Sequence, residues 1–143
     1  MSDAEKQVLR ALETYKSAVL ARNVETFMHV YDPDVRVFDT WGVWSYEGAD
    51  AWRVAVEGWF ASLRDETCRV AFDDVRIVEG PGFASMSAVA TYAAISSQGQ
   101  ETKSMQNRMS WVLKTSGHVL RVIHEHTSVP IGFEDGKGIL ARG

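Results

Sequence analysis

TKSMQNRMSWVLKTSGHVLRVIHEHTS, residues Thr102 to Ser128, holds two runs of alternating residues around a Thr115-Ser116-Gly117 turn. Side chains of a strand point alternately to its two faces. In the first run, Thr102 to Lys114, Asn107, Met109 and Trp111 therefore share one face, and Gln106, Arg108, Ser110 and Val112 the other. In the second run, His118 to Ser128, His124 and His126 share a face opposite Arg121, Ile123, Glu125 and Thr127. Two such runs joined by a glycine turn predict an antiparallel pair.

The pattern continues upstream. Phe83 to Ile95 reads as a long strand rich in small residues, with Gly80-Pro81-Gly82 turning into it and Ser96 to Gln100 turning out. Cys68, Val70 and Phe72 alternate, and Val75 and Ile77 alternate with the opposite parity, so Asp73-Asp74 is expected to mark a bulge. Before the strands the period changes. Val8, Leu12, Tyr15 and Val19 recur at helical spacing over Asp3 to Ala21, with Ser2 and Glu5 as a capping box and Asn23 as a stop. A short helix carries Val24, Phe27, Met28 and Tyr31 on one face and is expected to end at Pro33. Val35 to Asp39 reads as a strand, Thr40 to Gly48 as a loop, and Ala49 to Arg64 as a third helix with Trp52, Val56, Trp59, Phe60 and Leu63 on its buried face. Helices set apart from a mostly antiparallel sheet make an α+β layer architecture.

The 143 residues fit one domain with a sizeable core, and 45% hydrophobic with 24% charged residues is ordinary for a folded chain. A net charge of −4 without a basic run argues against nucleic acid and anionic membrane surfaces. Cys68 is the single cysteine, no secretory segment opens the chain, and no apolar run approaches a membrane span, so the expected compartment is the cytoplasm. A domain over residues 1–130 is expected, followed by a flexible tail over 131–143.

The ordered set Tyr31-Asp32-Pro33-Asp34-Val35, Glu47-Gly48 and His124-Glu125-His126-Thr127-Ser128-Val129-Pro130 resembles the SnoaL-like, or nuclear transport factor 2-like, superfamily. Relatives there include ketosteroid isomerase, polyketide cyclases and the association domain of calcium/calmodulin-dependent protein kinase II, whose branch the C-terminal pattern resembles most. The resemblance implies a cone-shaped, curved antiparallel sheet with three helices in the N-terminal half, a cystatin-like α+β roll. It also implies a homodimer paired through the outer sheet face and an internal pocket for a small organic molecule. One scaffold serves many tasks, so function must come from the site.

Asp39 falls on the face of Val35 and Val37, so its carboxyl should point inward. Burial raises a carboxyl pKa, and such a group can move protons on a bound carbonyl compound. Asp39 also matches the base of the isomerase in the resemblance. Tyr15 lies on the apolar stripe of the first helix, where a phenol can donate to a developing enolate oxygen. Each has a plain structural alternative: a strand-end carboxyl in an ion pair, and a core tyrosine. The isomerase pattern then breaks, because Thr102 to Lys114 contains no second acid; Asn107 can donate a hydrogen bond but cannot serve as one. Trp41 and Trp59 are expected to grip an apolar ring, with Asn107, Met109, Trp111, Glu125 and Thr127 as further pocket residues, the last two through the resemblance. His124 and His126 could share a metal, yet no ligand cluster accompanies them, and neither metal nor cofactor is expected. Two functions stay open: ligand binding or dimer assembly without chemistry, and a cofactor-free isomerase, cyclase or dehydratase.

Overall fold

The buried stripe of Val8, Leu12, Tyr15, Ala18 and Val19 makes α1 (Asp3–Ala21) an amphipathic helix against the sheet. In this computed structural model, which describes residues 1–143 throughout, the Ser2 hydroxyl caps α1 by accepting the Glu5 N–H at 3.0 Å. The helix ends on Arg22, in the left-handed region at φ 53°. Asn23, expected as that stop, instead caps α2 (Val24–Met28), its side chain accepting the Thr26 N–H at 3.0 Å.

α2 ends earlier than expected, and Tyr31 and Pro33 belong to the strand β1 (Tyr31–Phe38). The register of β1 with its neighbour shifts between Tyr31 and Arg36. Proline there deprives no regular ladder of a donor, which is why a strand can hold it. The expected loop from Thr40 contains a two-residue strand, β2 (Tyr46–Glu47), paired antiparallel with β1. α3 (Ala49–Ser62) stops two residues short of Arg64, which is itself left-handed at φ 55°.

The long strands follow as β3 (Thr67–Gly80), β4 (Phe83–Ile95), β5 (Glu101–Ser116) and β6 (Val119–Ser128). The expected bulge lies in β3, where register shifts between Asp73 and Arg76 and Asp74 takes φ 52°. The six strands form one curved sheet in the order β2-β1-β6-β5-β4-β3. All pairs are antiparallel except β1 with β6, which run parallel. α1 packs chiefly on β3 and α3 on β1, so three helices close one face of an α+β fold.

Cross-strand partners set the inward side chains in rows. Glu125, Trp111 and Met86 form one row; Thr127, Met109 and Ala88 the next; Asn107 and Ala90 the third; Met105 and Tyr92 the fourth. Along β4 the inward residues shrink from Met86 to Ala88 and Ala90 before Tyr92, and Tyr92 with its row partner Met105 reaches a cavity. Beyond the end of β6, residues 131–143 run beside β5. Gln106 N–H donates to Leu140 O at 2.7 Å, Arg142 N–H to Gln106 Oε1 at 2.7 Å, and Arg142 pairs with Asp73 at 2.8 Å.

Candidate functional site

Parallel pairing of Val37 with Glu125 and Phe38 with His126 brings Asp39, one step on, beside Thr127. The Thr127 hydroxyl donates to Asp39 Oδ1 at 3.1 Å and the Trp41 N–H to Oδ2 at 3.2 Å. Thr127 Oγ1 in turn accepts the Thr40 N–H at 2.8 Å and the Thr40 hydroxyl at 3.0 Å. Asn107 Nδ2–H completes the chain by donating to Thr40 Oγ1 at 3.3 Å.

A cavity of about 380 Å³ opens between this network, α1 and α3. Of the residues singled out in the sequence, Tyr15, Asp39, Trp41, Trp59 and Asn107 line it. Met109 and Trp111 point inward but are packed into the core. Thr127 and Glu125 also point inward, and neither reaches the cavity wall. Tyr46, Trp52 and Tyr92 line it without having been singled out. Tyr92 carried a usable signal, since its parity on β4 matches that of Ala88 and Ala90. Trp44, in contrast, is 96% exposed on the loop outside.

The Tyr15 and Tyr92 hydroxyls lie 2.9 Å apart. One proton makes that bond, and the other hydroxyl keeps its proton free for an acceptor in the cavity. Burial, then the neighbouring Tyr92 and Glu125, holds the Tyr15 phenol well above the ordinary tyrosine range. Burial also raises Asp39, offset in part by the Trp41 N–H, the Thr127 hydroxyl and the Thr40 N–H. Two buried polar atoms of residues that line the cavity make no hydrogen bond of full geometry: Trp52 Nε1, which lies near the Tyr31 hydroxyl, and Asn107 Oδ1.

A second inward acid, absent from Thr102 to Lys114, stands on β6. Glu125 is 1% exposed, and its Oε1 accepts the Tyr31 hydroxyl at 2.6 Å and the Trp111 indole N–H at 2.9 Å. Burial pushes its pKa up to about 7 against those two donors, with Asp39 adding to the rise. It sits behind the wall, one row from Asp39. His124 and His126 occupy the outer face, where both rings pack edge-on against Phe38 and His124 Nδ1 meets Arg36 O at 2.8 Å. Arg108 is exposed and its Nε donates to Ser128 Oγ at 3.2 Å. Burial pushes the Cys68 thiol up to about 11, which suits a core residue rather than a nucleophile.

The family model described as SnoaL-like domain matches residues 8–132. Among solved structures, a nuclear transport factor 2-like protein of unknown function from Pseudomonas putida is 18% identical, with 98% of this chain and 96% of that chain covered and a TM-score of 0.87. Aln2 from Streptomyces sp. is 16% identical over 90% of this chain and 91% of its own, with a TM-score of 0.79. A putative calcium/calmodulin dependent protein kinase II association domain from Xanthomonas campestris is 15% identical over 89% and 88%, with a TM-score of 0.74. At these identities the likeness is one of fold. No curated protein matches the chain. No helix is long and apolar enough to cross a membrane.

Proposed function

The chain belongs to the SnoaL-like domain family, and on that premise we propose that its cavity binds a small apolar organic molecule. One observation carries the reading: a space of about 380 Å³, walled mostly by hydrophobic side chains, with a few polar groups converging on it. Small-molecule sites have this size and this composition. Equilibrium dialysis against naphthalene derivatives tests it. Binding is expected for the natural chain and loss of binding for Ala55→Phe, which places a ring in the cavity. Equal binding by both would overturn the proposal.

A second reading has its own support. Asp39 and the Tyr15–Tyr92 pair line the same cavity, so a general base and a hydrogen-bond donor face one ligand. In that reading Asp39 removes a proton alpha to a carbonyl and Tyr15 donates to the enolate oxygen. The α-protons of 2-tetralone in D2O provide the test, followed by NMR. Exchange accelerated by the natural chain should fall by roughly two to four orders of magnitude in Asp39→Asn. Exchange at an unchanged rate removes Asp39 as a base.

Pairing of two copies through the outer sheet face, as the family resemblance implies, is part of the proposal. So is a cytoplasmic location, which suits a lone buried thiol with no disulfide partner.

A further inference from the structure

We propose that the cavity takes an organic cation, an alkylated ammonium carried on an apolar body, with Asp39 as its counter-charge and the surrounding tryptophan and tyrosine rings as its wall. The inference rests on the cavity being a ligand site and names the class of molecule it takes.

Asp39 is the only charged side chain on the lining, and no lysine, arginine or histidine joins it there. None of the ion pairs of the chain includes it. On the outer side His126 shares a groove with Asp39 and forms no ion pair with it. The donors that Asp39 does have are neutral: the Thr127 hydroxyl on Oδ1 and the Trp41 N–H on Oδ2. An ionised carboxylate accepts at about four sites, so each oxygen keeps room for another contact. A half-buried charge is costly unless an opposite charge accompanies it. The chain supplies none, and a cation in the cavity would.

The wall points to the same class. Tyr15, Trp41, Tyr46, Trp52, Trp59 and Tyr92 make up six of the 12 lining residues. Trp59 meets Tyr92 at 70° with centroids 6.0 Å apart, and Tyr46 meets Trp52 at 51° and 5.3 Å. Rings at such angles stand round a space instead of stacking shut across it. Indole and phenol rings attract a desolvated cation through their negative faces. Trp41 is 57% exposed, and its own N–H holds Asp39, so one turn positions both a ring and the counter-charge. A net charge of −4 draws cations toward the chain. A neutral ligand would leave the carboxylate unmatched, and an anion would meet no cation at all.

Alkylation of the nitrogen follows from the hydrogen bonds already made. A primary ammonium brings three N–H donors that each need an acceptor. Most polar groups of the wall are engaged or shut in: Tyr15 with Tyr92, Asn107 Nδ2 with Thr40, and Asn107 Oδ1 and Trp52 Nε1 in the packing. The tyrosine pair keeps one free proton, which cannot serve an N–H. Methyl groups on nitrogen need only contact, which the rings provide.

Benzyltrimethylammonium and its neutral carbon isostere, neopentylbenzene, differ in charge and hardly in shape. Dissociation constants for both are measured by equilibrium dialysis in sealed cells, at pH 8 to favour the ionised carboxylate and at physiological salt. The natural chain should hold the cation roughly tenfold more tightly than the isostere. Asp39→Asn keeps the shape of the side chain and removes its charge, so the preference should fall to about one with the isostere still bound. Asp39→Ser serves if the amide variant fails to fold. Trp41→Leu keeps an apolar wall and should cut the preference roughly threefold. Ring currents give a second readout: the N-methyl proton signal should move upfield on binding, which attraction to an acidic surface elsewhere would not produce. An isostere held as tightly as the cation in the natural chain, a preference that either substitution leaves unchanged, or binding without the upfield movement would overturn the inference and leave the cavity proposal standing. Failure of both probes where naphthalene derivatives bind overturns this inference alone. Failure of all of them overturns the cavity proposal as well.

Discussion

Glu125 stands on an inward row of the sheet and Asp39 one step past the end of β1 beside the next row, and their surroundings differ in the donors they meet and in how closely they are packed. The Glu125 row is filled by Trp111 and Met86. Its carboxyl meets two donors at fixed positions, sealed behind aromatic rings. The Asp39 row runs through Thr127 and Met109 to Ala88, and the next row ends on Ala90. The Asp39 carboxyl itself stands at the cavity wall. The same chemical group is thus sealed in the core in one place and open to a cavity in the other, where the proposed reading gives it a binding or catalytic role.

The comparison is broken most directly by removing each carboxyl. Glu125→Ala leaves the Tyr31 hydroxyl and the Trp111 N–H without an acceptor in the core, and should cost about 3–5 kcal/mol of stability. Asp39→Ala removes a half-buried group whose donors lie near the cavity, and should cost about 1 kcal/mol or less. Urea denaturation checks both. Comparable losses would mean that the two rows are equally packed.

Titration sharpens the same contrast. Glu125 rises from an ordinary 4.5 to about 7 in the folded chain, chiefly through burial. Between those values the folded state keeps a proton that the unfolded state releases. Stability from this group is therefore full below pH 4.5 and is lost as pH rises through 7. The loss should approach about 3 kcal/mol. Asp39 is raised as well and acts in the same direction. Denaturation midpoints between pH 4.5 and pH 7.5 should fall in the natural chain, and Glu125→Gln should flatten most of that slope. A slope that stays in Glu125→Gln would assign it elsewhere.

Much of this was legible in the residues. Helical spacing marked α1, alternating parity marked the faces of β5, and the parity switch at Asp73-Asp74 marked the bulge. On β6 parity held only from Glu125 to Thr127: the register shifts between Val112 and Leu113, so Val122 enters the core and Arg121 and Ile123 do not share the Glu125 face as expected. Asp39 was placed inward for the same reason. Parity says which face a side chain takes, but not how deep along the strand it lies. Depth depends on partners far away in the chain: the parallel register of β1 on β6, and the antiparallel register of β4 on β5. That is why Glu125, Trp111 and Met109 were grouped with the pocket although they pack beside it, and why Tyr92 was passed over. The short β2 and the strand placement of Pro33 were hidden likewise, since both depend on β1 finding its neighbours.

The smallest effect tests whether the cavity wall is truly softer than the core. Tyr31 and Tyr15 are both buried, and each hydroxyl makes one bond, to Glu125 and to Tyr92 respectively. Removing the Tyr31 hydroxyl withdraws one of two donors from a buried carboxyl, so Tyr31→Phe should cost about 1.5–3 kcal/mol near pH 7. Removing the Tyr15 hydroxyl leaves Tyr92 facing a space that solvent or ligand can enter, so Tyr15→Phe should cost only about 0.5–1 kcal/mol. The loss at Tyr31 should also shrink at acid pH, where Glu125 is protonated and needs its donors less, while the loss at Tyr15 should hardly change. Thermal denaturation of the two variants at pH 5 and pH 8 separates them. A Tyr15 variant as unstable as the Tyr31 variant at both values would show a hydroxyl pair locked in the core, and the donor role of Tyr15 toward a ligand would fail with it.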